Sequence, residues 1–78
     1  PANAQRDRGE HEYAAFKYSV EQAYKRANND DPGPLRQVVK NLKIRAENGR
    51  PEDPHTLGIR KLMKDEIWEK AVAWVKDN

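Results

Sequence analysis

The stretch "TLGIRKLMKDEIWEKAVAWVK", residues 56 to 76, decides how this chain is built. At about 100° per residue its apolar side chains fall on two neighbouring ridges of a single helix. Ile59, Met63, Ile67 and Trp74 form one ridge, and Leu57, Trp68, Val72 and Val75 form the other, with Ala71 between them. The spacing predicts one long helix over about 55–76, whose apolar arc is wider than one core contact needs. Such a helix either lies between two others or buries its first ridge and offers the second to a partner. A Trp68 buried in the chain's own core would remove the motive for the second arrangement.

Just upstream, "NGRPEDPHTLG" (48–58) holds two prolines and two glycines. Asp53 followed by Pro54 reads as an acidic N-cap with proline at the first helical position, where the missing N–H costs nothing. Gly49 suits the left-handed residue that closes a preceding helix. That preceding helix carries the stripe Leu35, Val38, Val39, Leu42 and Ala46 and spans about 33–48, because Pro32 and Pro34 fit only its first turn. Asp31-Pro32-x-x-Leu35 and Asp53-Pro54-x-x-Leu57 share a frame, and both read as the same helix-start device.

A first helix over about 10–28 follows from Tyr13, Phe16, Val20, Ala23, Tyr24 and Ala27, spaced by three and four. Asp7 and Glu10 have capping-box spacing. It ends in two asparagines followed by two acids, an unfavourable charge for a helix C-terminus, so the last turn is expected to fray. The expected fold is therefore all-α, a small three-helix bundle formed by residues 10–78 as one domain, with a flexible N-terminal arm over 1–9.

Composition narrows the function. With 78 residues, of which 36% are hydrophobic and 36% charged, the chain can bury one small core. An enclosed catalytic cavity would consume it, so a non-enzymatic protein with no small-molecule substrate is expected. There is no cysteine, which removes disulfides, thiolate nucleophiles and cysteine-ligated metals. No apolar run reaches the roughly 18 residues of a membrane span, and "PANAQRDRGEHE" lacks the apolar centre of a signal peptide. The expectation is a soluble, intracellular protein, cytoplasmic or associated with the nucleoid or nucleus, without membrane attachment.

No catalytic constellation survives inspection. His11-Glu12 lacks the second histidine of H-E-x-x-H, because position 15 is alanine. Ser19 is the only serine and sits mid-helix without a glycine elbow. With His11 and His55 in different segments, no metal or cofactor is expected. The acidic pairs Asp30-Asp31, Glu52-Asp53 and Asp65-Glu66 have structural readings: the first two as helix starts, the third through an i,i+4 pair of Glu66 with Lys70. Glu21 with Lys25 reads the same way.

Charge is uneven. The net +2 divides into −1 over residues 1–31, +5 over 32–64 and −2 over 65–78. Arg36, Lys40 and Lys43 lie on one flank of the second helix and Arg50 follows its end. Such a row can attract phosphate or an acidic protein. The five residues 49–53 would permit a helix-turn-helix, with Arg60, Lys61 and Lys64 on the following helix. Of these only Arg60 is a base-reading type, so phosphate contact is favoured over sequence reading.

The function expected is a small binding or regulatory module, with nucleic acid, DNA in particular, contacted through Arg36, Lys40, Lys43, Arg50, Arg60, Lys61 and Lys64. The alternative is a protein-interaction or homodimerisation domain. It would use the ridge of Leu57, Trp68, Val72 and Val75, together with Ile44 and Tyr18, which point away from their helices' apolar stripes.

Overall fold

The structure, a computed structural model, describes residues 8–78. It holds four helices: α1 (Glu10–Asn28), α2 (Gly33–Asn48), α3 (Pro54–Leu62) and α4 (Glu66–Asp77), with no strand among the described residues. The all-helical class and the first two helices agree with the sequence reading. The long third helix does not exist as one piece: it breaks after Leu62, and α4 restarts at Glu66.

Asp65 makes the break. Its backbone turns to the extended region (φ −88, ψ 148) and its carboxylate accepts the Ile67 N–H at 3.3 Å, an N-cap. The pair Asp65-Glu66 is thus a helix start, although the 3.7 Å Glu66–Lys70 ion pair also forms. Glu21 and Lys25 form no such pair.

The break has a packing cause. Ile59 and Leu62 of α3 are buried, and so are Trp68 and Ala71 of α4. Projected on one continuous helix, those two faces point about 180° apart. A straight rod cannot bury both in one core, so the wide apolar arc belongs to two helices in different orientations. The core between them is completed by Val20, Ala23 and Ala27 of α1 and by Leu35, Val39, Leu42 and Ala46 of α2.

The two D-P-x-x-L frames behave differently. Asp53 caps α3, its carboxylate accepting the His55 N–H at 3.0 Å. Asp31 does not cap α2, whose N-cap is Pro32 without a side-chain bond. Asp30 and Asp31 instead finish α1: the Asp31 N–H donates to the Arg26 carbonyl at 2.9 Å and the Asp30 N–H to the Ala27 carbonyl at 3.3 Å, with Asp30 at φ 67. This is a Schellman closure, so the last turn of α1 is tied off where fraying was expected.

Two glycines act through space. Gly49 is extended (φ −76, ψ 151), not left-handed, and is required because a Cβ there would collide with the Thr56 hydroxyl and lie 2.8 Å from the Arg45 carbonyl. Gly58 lets α3 approach α1, since its Cβ would sit 2.7 Å from the Tyr13 nitrogen. The N-cap of α1 is Gly9, with Glu10 as the first helical residue. Asp7, the other half of the expected capping box, lies outside the described residues, as does most of the expected arm. The part of the arm that is described, Arg8 and Gly9, is packed: the Arg8 guanidinium donates to the Glu52 carbonyl and the Arg8 carbonyl accepts from Lys61.

Candidate binding surface

α2 is buried along Leu35, Val39, Leu42 and Ala46, and this fixes what its other side presents. Arg36, Lys40 and Lys43 follow at steps of four and three and are all exposed, with Glu47 extending the same row. Arg36 donates to the Asn78 carbonyl at 2.8 Å. None of Arg36, Lys40 and Lys43 stands in a side-chain ion pair among the described residues. Ile44 is 45% exposed beside this row. On the opposite flank Arg45 is exposed but lies over the Phe16 ring of α1, 5.3 Å from its centroid. Gln37 donates to Asn41 at 3.1 Å on the outer surface.

The remaining basic residues are distributed. Arg50 is exposed in the α2–α3 connection, and Arg60 and Lys64 are exposed on α3 and just after it. Lys61 is turned toward α1, where its ammonium donates to the Arg8 carbonyl at 2.9 Å and pairs with Glu10 at 3.3 Å. Within α3 only His55 and Arg60 are exposed. A helix that reads a groove needs a row of three or four outward side chains, and α3 offers no such row.

The apolar ridge is turned inward. Trp68 is 7% exposed and belongs to the core, while Val72, Val75 and Leu57 are half-buried. Tyr18, at 63% exposure, stands outside it and lines an open groove with Gln22, Arg26 and Pro34.

The "NGRPEDPHTLG" connection forms one wall of an open cleft of roughly 260 Å³, lined by Arg45, Asn48, Asp53, His55, Thr56 and Ile59. Two of its side chains have structural roles: Asp53 caps α3, and the His55 ring rests against Phe16 at 6.3 Å between centroids. Among the described residues no three His, Asp or Glu side chains converge as a metal site. No described helix is long and apolar enough to cross a membrane.

Sequence reasoning missed one cluster. The Tyr13 hydroxyl donates to Asp65, and the Lys17 ammonium lies 3.2 Å from the same carboxylate and 3.5 Å from the Tyr13 oxygen. The Tyr13 hydrogen bond is the main cause that holds the Asp65 carboxyl below its ordinary range, against the opposing effect of desolvation. The Tyr13 phenol is pushed up, chiefly by its bond to Asp65, and the Lys17 ammonium is raised, chiefly by its bond to the same carboxylate. Tyr13 and Lys17 at i,i+4 on α1 were visible as a pair in the sequence. Their partner, 52 positions from Tyr13, was not.

No protein-family model, curated protein or solved structure matches this chain.

Proposed function

We propose that this chain is a non-enzymatic binding module that presents the outward face of α2 to a polyanion, in the first place a nucleic acid. The observation that supports this reading is the exposed row Arg36, Lys40 and Lys43, in a segment where residues 34–46 contain four bases and no acid. Exposed lysines, beside an arginine that stands in no side-chain ion pair among the described residues, gain by releasing counterions from phosphate. The two-residue exposure of α3 favours contact with the phosphate backbone over reading of base edges. Arg50, Arg60 and Lys64 extend the positive field, whereas Lys61 is already engaged with α1.

The test is the anisotropy of a labelled duplex, a labelled single strand and a labelled RNA titrated with the protein over a series of salt concentrations. About three phosphate contacts give a slope of log affinity against log salt near −2.7 on a duplex. Lys40→Ala with Lys43→Ala reduces that slope by about two. Binding that ignores salt, or no binding to any of the three, would sink the proposal. Ile44, exposed next to Lys40, gives the same face a second use: docking an acidic protein whose apolar contact covers the isoleucine.

A further inference from the structure

α3 and α4 are separated by very little backbone. Met63 remains in the right-handed helical region (φ −64, ψ −15). The Lys64 N–H bonds to the Lys61 carbonyl at 3.2 Å and the Asp65 N–H to the Leu62 carbonyl at 2.8 Å, so the turn is still wound as far as Asp65. Asp65 is where the chain leaves it, at ψ 148. Returning that torsion to about −42°, with the tight turn before it relaxed to α-helical bonding, would join α3 and α4 into one helix. Neither Met63 nor Lys64 resists this, both being good helix formers.

What resists is the Asp65 carboxylate. It caps Ile67, accepts from Tyr13 and pairs with Lys17, and a joined helix gives up the cap and turns the carboxylate out of this setting. A joined helix has a second property. With the Ile59–Leu62 face seated in its own core, the Trp68–Ala71 face points about 180° away from that core. In the closed chain α4 rests on α1 and α2, and only weakly on α3. The surface shaped for the displaced face is therefore the α1–α2 surface of another copy of the same chain.

We propose that α4 is an exchangeable arm. In a dimer of this chain α3 and α4 run as one helix and each α4 fills the place of its counterpart, while Asp65 is the latch that keeps the monomer closed. Such an exchange is reciprocal and closes on a two-fold axis, so it stops at two copies. It is independent of what α2 binds.

The proposal is tested on the full chain by sedimentation and light scattering, with variants that act on the hinge in opposite directions. Asp65→Ala removes the latch. Because a dimer contains two hinges, its association constant rises about twenty-five-fold over the wild type, the square of the roughly fivefold worth of one N-cap. Glu66→Pro acts the other way. Position 66 is the first residue of α4, where proline is favoured, and Asp65 already has the extended backbone that a following proline demands. In a joined helix the proline ring would clash with the Leu62 carbonyl.

The double variant Asp65→Ala with Glu66→Pro is accordingly monomeric at concentrations where Asp65→Ala alone is dimeric. Should Asp65→Ala not fold, Tyr13→Phe with Lys17→Met loosens the same latch while leaving the N-cap, and dimerises more strongly than the wild type. A folded latch variant with no gain in association would overturn the proposal. So would a dimer that survives Glu66→Pro, since it would be formed through another surface.

Discussion

The Tyr13 hydroxyl donates to the Asp65 carboxylate and so ties the first turn of α1 to the break between α3 and α4. The carboxylate that starts α4 is also the one that anchors it to α1, with Lys17 alongside at 3.2 Å.

This coupling gives stability a defined pH dependence. The folded Asp65 carboxyl has a lowered pKa, so as pH falls through its range the unfolded chain takes up the proton first. Its contribution is therefore full above the ordinary aspartate value of about 4 and is lost as pH drops through the folded value. Tyr13 and Lys17 are shifted upward, so their contributions are full below about pH 10 and are lost in alkali. Asp65→Asn keeps an N-cap but removes the charge. Urea midpoints at neutral pH should place it about 1 kcal/mol below the wild type, and the gap should narrow progressively as pH falls below about 4. A gap that stayed constant would mean the charge is idle.

Gly58→Ala places a Cβ 2.7 Å from both the Tyr13 nitrogen and the Glu12 Cβ. Backbone cannot move aside as a flexible side chain can, so α1 and α3 must separate. The expected loss is about 1–3 kcal/mol by chemical denaturation. Gly33→Ala is the comparison: a Cβ there meets nothing within 4 Å beyond its chain neighbours, and only the following Pro34, which disfavours the helical region for a residue with a Cβ, acts against it, so its cost should be smaller.

Asp30 closes α1 in the left-handed conformation, at φ 67, without being a glycine. Asp30→Gly removes the Cβ penalty and a negative charge from a helix C-terminus. It should raise stability by about 0.5–1 kcal/mol, visible as a higher thermal midpoint. A loss instead would show that the Asp30 side chain has a role its exposed position does not reveal.

The sequence made the extents of α1 and α2 readable because each has one apolar stripe bounded by residues that end it: the Asn-Asp turn for α1 and Gly49 for α2. The reason for Gly49 was not readable, because it is the approach of Thr56, a contact that exists only after folding. The α3–α4 break was hidden for two physical reasons. Met63, Lys64 and Asp65 contain no residue that forbids a helix, and the partners that hold Asp65 lie on α1. Leu62, wholly buried, belonged to neither ridge of the projection, and its omission concealed that the buried face of α3 opposes that of α4. The basic row of α2 was legible because its exposure follows from its place on the flank beside the buried stripe. The engagement of Lys61 with Arg8 and Glu10 depends on how α3 crosses α1, which no local pattern records.

The opposed faces of α3 and α4 also place this chain two residues from another architecture. Two alanines inserted after Lys64 would advance α4 by about 200° and bring Trp68 and Ala71 to within about 20° of the line through Ile59 and Leu62. One straight rod would then satisfy the whole core, and the aspartate at the joint would become an ordinary surface acid. Helix number in this protein is thus governed by residue count at a joint, a quantity that insertion and deletion alter more readily than substitution does.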